Sequence, residues 1–160
     1  MQIRTYKFKL EPTAEQKQRI DWTMDTCCYL YNTALEQRIF AYKKCGISIN
    51  WYQQKSELPL LKREFPFFKD IHSQVLQDTL KRLDKAYDAF FRRLKRGEKA
   101  GFPRFQGKNR FDSITYTQSG FSLSTEGKPK LRLSKIGDIR VKCHRQPQGK
   151  IKTCCIKRKN

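Results

Sequence analysis

The sequence predicts an α+β protein, a small antiparallel β-barrel interrupted by a helical insertion. Three observations carry this expectation. A period-two segment opens the chain, a block with two long helical patterns fills residues 11–97, and five short period-two segments follow residue 112. Strand, helices, then strands in series fit a barrel whose first strand arrives before the insertion and whose others arrive after it. The domain reading is therefore 1–10 for the first strand, 11–97 for the helical insert and 98–160 for the remaining barrel.

Gln2 to Leu10 reads as the first strand, because Ile3, Tyr6, Phe8 and Leu10 are interleaved with Arg4, Lys7 and Lys9. Glu11-Pro12 ends it. Thr13 and Gln16 have the spacing of a capping box, so a helix is expected to run from there to about Cys45, with Gly46 as terminator. Its inward stripe is Ile20, Met24, Cys27, Tyr31, Leu35 and Ile39. Asp21, Asp25, Glu36, Lys17, Arg19 and Arg38 fall on a mixed outer face.

Asn50 caps a shorter helix, Trp51 to about Leu58, expected to break near Pro59. Phe65-Pro66-Phe67-Phe68 reads as a hydrophobic corner. Asp70 or Ser73 starts the next helix, which carries Val75, Leu76, Thr79, Leu80, Leu83, Tyr87, Phe90, Phe91 and Leu94 on one side and ends at Gly97. The later strands are expected at Ser113–Thr117, Gly120–Ser124, Lys130–Ser134, Ile139–Cys143 and Gly149–Ile156, separated by Gly, Pro or Ser/Thr turns.

Charge bounds the partner. The 160 residues hold 35 Lys and Arg against 15 Asp and Glu, a formal net charge of +20. Repulsion on that scale points to a polyanion, nucleic acid first and an anionic membrane surface second. No apolar run approaches the ~20 residues of a spanning helix, and MQIRTYKFKL is unlike a signal peptide. From Lys128 onward Asp138 is the single acidic residue. The six cysteines include the adjacent pairs Cys27-Cys28 and Cys154-Cys155 and no CxxC, so they read as reduced cytosolic thiols and not as zinc ligands.

KAGFPRFQGKNRFDSITY, residues 99–116, alternates cations with rings. Lys99, Arg104, Lys108 and Arg110 supply phosphate affinity, as do Arg92, Arg93, Lys95 and Arg96 in the preceding helix turn, where one or two cations would satisfy the helix dipole. Phe102, Phe105 and Phe111 have two readings, stacking faces worth about 1–3 kcal/mol per base or plugs sealing helices to barrel. Catalytic patterns are missing: there is no HExxH, Walker A or GxSxG, and His72 and His144 lie far apart. A helix-turn-helix reading with Trp22 to Tyr42 as the recognition element is weakened by the strong inward stripe. The chain alone reads as a binding module and not an enzyme.

RTYKFKLEPTAEQ, CCYLYNTALEQR, SELPLLK and KRLDKAYDAFFRRLKRGEKAGFPRFQGK together resemble the N-terminal half of the TnpB (OrfB) proteins of bacterial insertion sequences, transposon-encoded RNA-guided nucleases related to type V CRISPR effectors. The block from Ala86 to Lys108 is the most specific part. The resemblance implies a wedge-like barrel split by a helical recognition insert, binding the scaffold of a guide RNA and reading a short motif in double-stranded DNA. Family positions implicated in that reading fall on Trp51, Ser73, Gln77 and Thr117. The family's RuvC-like nuclease with its three carboxylates, its four-cysteine zinc finger and the Mg2+ and Zn2+ they hold all lie C-terminal to this region, so the resemblance assigns this chain no catalytic residue, metal or cofactor. It implies a truncated copy, domain fragment or remnant in the bacterial cytoplasm at the nucleoid. A C-terminal nuclease fragment supplied separately, or a full-length relative, is the implied protein partner.

Overall fold

A computed structural model describes residues 1–159. Its order is strand β1 (Lys9–Glu11), helices α1 (Ala14–Cys45), α2 (Trp51–Ser56) and α3 (Leu58–Glu64), a 3-10 turn (Pro66–Asp70), helix α4 (Ser73–Lys95), then strands β2 (Ser113–Tyr116), β3 (Phe121–Ser124), β4 (Lys130–Leu133), β5 (Gly137–Lys142) and β6 (Cys154–Lys157). The α+β class holds, with every strand pair antiparallel. Pairing falls into two sheets, one ordered β1-β5-β4-β3 and one formed by β2 and β6.

The chain switches from helix to strand where its apolar period changes. In α1 the capping box forms as expected: Gln16 N donates to Thr13 Oγ1 at 3.2 Å and Thr13 N to Gln16 Oε1 at 3.0 Å. Gln16 Nε2 also donates to the Asp138 carbonyl at 2.6 Å, tying the helix start to β5. Gly46, at φ +64, ends the helix in the left-handed conformation that glycine adopts without steric cost. Over its 32 residues α1 extends about 48 Å.

Helices α1 and α4 run side by side in the same direction: Cys27 meets Thr79, and Arg38 meets Asp84 and Tyr87. Met24, Cys27 and Leu35 from α1 and Val75, Leu76, Leu80 and Leu83 from α4 are buried in one cluster. The inward residues of both sheets, Ile114, Tyr116, Leu131, Leu133, Ile139, Val141 and Ile156, join that cluster. Each fully buried side chain of this kind contributes about 1.5–3 kcal/mol, so one shared interior fixes the helices on the strands.

Four expectations are corrected. The first strand is only Lys9–Glu11, because β5 offers partners from Lys142 to Arg140 and residues before Lys9 find none. The break expected near Pro59 does occur, since α2 ends at Ser56 and α3 starts at Leu58, and Pro59 sits in the first turn of α3, where its missing N–H would have had no intrahelical acceptor. The last strand starts at Cys154, opposite Tyr116, and not at Gly149. Arg38 is 6% exposed and not on an outer face, because Gln54 and Asp84 accept its hydrogen bonds. Phe91 and Leu94, expected on the packed side of α4, are 54% and 52% exposed, since the last turns of that helix pass beyond the core.

Candidate nucleic-acid interface

The final turns of α4 and the segment that follows gather the predicted phosphate-binding side chains. Arg92, Arg93, Lys95, Arg96, Lys99, Arg104, Lys108 and Arg110 are all exposed. Among the described residues Arg96 alone makes an ion pair, with Glu98 at 4.0 Å, and both partners are well exposed. The other seven of these eight have no carboxylate of the described residues within ion-pairing distance. Phe91 and Leu94 lie among these cations, and Asp88, Phe91, Arg92, Lys95 and Arg96 line a shallow depression.

This cationic segment is not a loose loop. Asn32, near the middle of α1, grips the backbone of one residue on both sides of its Cα: Gln106 N donates to Asn32 Oδ1 and Asn32 Nδ2 donates to the Gln106 carbonyl, each at 2.8 Å. The Cys28 thiol donates to the same carbonyl at 3.3 Å. Arg158 donates to Asp21 at 3.0 Å and to the carbonyls of Lys108 and Phe111 at 3.2 and 3.4 Å. The backbone of Lys108 is thus anchored while its ammonium stays in water.

The three phenylalanines are placed differently. Phe111 is buried between Tyr31, ring centroids 6.2 Å apart, and the Arg82 guanidinium, 5.3 Å from its ring. Phe102 meets Tyr87 and Phe90 edge-on at 5.5 and 5.4 Å, with about half its surface exposed. Phe105 is 55% exposed and has no ring neighbour among the described residues. An exposed ring beside free cations offers a face on which a base can stack.

The other predicted residues lie around the first half of α4. Trp51 donates its indole N–H to the Gln77 carbonyl at 3.1 Å, with the Lys55 and Lys81 ammonium groups 4.7 and 4.6 Å from its ring. Its backbone N–H donates to Asp84 at 3.2 Å. Ser73 opens the helix one turn before Gln77, and its hydroxyl accepts from Lys62 Nζ at 2.6 Å. Thr117 donates to Gln74 Oε1 at 3.4 Å. Gln74 links Thr117 to the turn that carries Ser73, and Trp51 is seated on the Gln77 backbone.

Sequence reasoning missed the residues that hold these groups in place. Arg38 bonds Gln54 at 2.9 Å and Asp84 at 3.0 Å, and Gln54 in turn donates to the Ala34 carbonyl at 2.9 Å. That network fixes α2, and with it Trp51, between the long helices. Arg82 spends its donors on Asp78, on the backbone and hydroxyl of Ser113 and on Thr115, clamping β2 to α4. The one available signal was a polar residue at an otherwise apolar helical position. It does not say which acceptor a distant segment will bring.

All six cysteines are free, and burial pushes the thiols of Cys27 and Cys154 up to about 11, away from the thiolate. Among the described residues no group of three His, Cys, Asp or Glu could hold a metal ion. No helix there is long and apolar enough to cross a membrane.

Comparison with known proteins adds the remaining observations. Residues 1–46 match the HTH_OrfB_IS605 family, a helix-turn-helix domain. This segment holds β1 and the whole of α1, which is a single uninterrupted helix. The "Putative RNA-guided DNA endonuclease InsQ" of Escherichia coli (strain K12) is 30% identical over 156 residues, 96% of this chain and 37% of that protein. A "Putative RNA-guided DNA endonuclease" of Streptomyces pristinaespiralis is 28% identical over 122 residues, 74% of this chain and 29% of that protein. The chain therefore spans about a third of the length of these relatives, in their N-terminal part. The helix-turn-helix match points to DNA binding.

Proposed function

We propose that this chain, an OrfB-type helix-turn-helix segment continued into the N-terminal part of a TnpB-like protein, binds a guide-type RNA and a short motif in duplex DNA. The observation that carries this reading is the run of exposed cations from Arg92 to Arg110, seven of eight without a carboxylate partner among the described residues, interspersed with the exposed rings of Phe91, Phe102 and Phe105. Phosphates neutralise such a run and release their counterions, while unpaired bases find ring faces between the charges. Duplex DNA presents no free base faces, so this end of the molecule suits a folded RNA with unpaired segments.

The DNA-reading part of the proposal is Trp51, Ser73, Gln77 and Thr117. Gln77 has the amide chemistry for an adenine edge, one donor and one acceptor side by side. Trp51 is partly buried and already bonded to the Gln77 backbone, so it serves this reading by packing against a sugar or base. In this proposal the cutting for which the relatives are named lies in the part of those proteins that the match does not cover.

The test is salt-dependent binding of the 160-residue chain to RNA from its own locus, beside a scrambled RNA of equal length. Preference for the locus RNA supports a recognition module. Equal affinity for both RNAs, falling with salt alike, would reduce the chain to its charge and reject specific recognition.

A further inference from the structure

We propose that His72 and Gln74 form a latch that fixes the turn 117–120 against the start of α4, with Gly120 as the slot on which the latch closes. The proposal rests on the reading of Ser73, Gln77 and Thr117 as a DNA-reading group and adds what holds that group in register. His72 and Gln74 are positioning residues here: they act through Thr117 and not on a base.

The geometry is specific. The Gln74 Oε1 atom accepts from Gln118 N at 2.9 Å, from Ser119 N at 2.8 Å and from the Thr117 hydroxyl at 3.4 Å. One carbonyl oxygen thus gathers three consecutive residues of the turn. The Gln74 backbone N–H in turn donates to His72 Nδ1 at 3.3 Å, so the imidazole caps the helix that carries Gln74. The His72 ring lies 5.5 Å from the Tyr116 ring and directly over Gly120.

Gly120 is constrained twice. Its φ of +86 favours glycine, and a Cβ there would sit 2.7 Å from His72 Cδ2 and Nε2. The turn is also held from its other side. Ser134 N donates to the Gly120 carbonyl at 2.6 Å, Tyr116 Oη to the Ser134 carbonyl at 3.0 Å, and Thr153 Oγ1 to the Thr117 carbonyl at 3.2 Å. Residues 117–120 therefore form the bridge through which the start of α4 meets the sheets. If the latch opens, Thr117 is free to move relative to Ser73 and Gln77, and the three lose a common frame.

The experiment combines three variants with two readouts on the full chain. Gln74→Met keeps the length of the side chain and removes Oε1. It should speed amide exchange at Gln118 and Ser119 by about tenfold or more, the scale expected for two lost hydrogen bonds. His72→Asn keeps a capping acceptor and removes the ring, so α4 should still start at Ser73. Gly120→Ala should then perturb the His72→Asn background less than the wild type, because the clash is gone and only the φ penalty remains.

The second readout is motif preference, scored by selection from DNA duplexes carrying a short randomised tract. Gln74→Met should flatten the preference while leaving affinity for random duplex within about twofold, since no phosphate-binding cation is touched. Unchanged exchange at Gln118 and Ser119, with additive effects of His72→Asn and Gly120→Ala, would overturn the latch. Faster exchange with motif preference intact would overturn its positioning role. If the wild-type chain itself shows no preference, the DNA-reading proposal fails, and the positioning role built on it fails too. The exchange data then still decide whether the latch exists.

Discussion

The two halves of α4 are built from the same residue types and are used in opposite ways. In the first half Arg82 finds four acceptors on Asp78, Ser113 and Thr115, and the apolar side chains from Val75 to Leu83 are buried. In the second half Arg92, Arg93 and Lys95 find no carboxylate among the described residues, and Phe91 and Leu94 face water. Composition does not distinguish an arginine that staples a fold from one left in water. The difference is whether another segment delivers an acceptor, and β2 does so for one end of the helix only.

The comparison breaks most visibly at the buried charge. Arg38→Ala should destabilise the fold by about 3 kcal/mol or more, because Asp84 loses its closest cation and Gln54 an internal donor. Denaturant unfolding measures it, and a loss below about 1 kcal/mol would place Arg38 with the solvated cations. Asn32→Ala should cost about 1–2 kcal/mol by leaving the Gln106 N–H without its acceptor and the Gln106 carbonyl with the Cys28 thiol alone. Local exchange at Gln106 checks this, and retained protection there would mean that the segment is held by Arg158 and Phe111 alone.

The exposed end should respond in the opposite sense. Replacing Arg92, Arg93, Lys95 and Arg96 with Ala should leave stability within about 1 kcal/mol. The dependence of RNA affinity on salt should flatten by about 3 log units per log unit of salt if all four neutralise single-stranded phosphates. An unchanged salt slope would remove this helix end from the binding surface. Gln77→Ala, a smaller change, should relax DNA-motif preference and spare nonspecific affinity, both read from the randomised duplex selection.

The smallest expected effect is with pH. Burial holds His72 below its ordinary value, and the neighbouring cations Lys62 and Lys135 add to the shift. The unfolded chain therefore takes up a proton near pH ~6.5 while the folded chain resists it. The contribution is fully present above that pH and is lost as pH falls through the folded value. Thermal unfolding should show stability decreasing below pH ~6.5, with a shallower decrease in His72→Asn. Equal slopes would mean that His72 is not held neutral.

Much of the fold could be read from local chemistry. The Thr13 capping box and the Asn50 cap each need only residues three apart, and both form as expected. Five later strands appear near their expected places because period two and turn residues are local signals. The first strand was read too long because an alternating pattern states which face is apolar but not how far a partner extends. The candidate site divides in the same way. Its cations were legible as a run, whereas the fate of each phenylalanine depended on Tyr31, Tyr87, Phe90 and Arg82 arriving from elsewhere.

By itself, then, the sequence determined the helix starts, the strand periods, the excess of positive charge and the clustering of rings with cations. Each follows from neighbours a few residues apart or from simple summation. Only the tertiary structure decided that Arg38 is buried and Arg82 clamps β2, that Asn32 grips Gln106, and that Gln74 gathers the 117–119 turn. These depend on hydrogen-bond partners 16 to 74 residues away along the chain, and a polar side chain carries no local mark of a partner that distant.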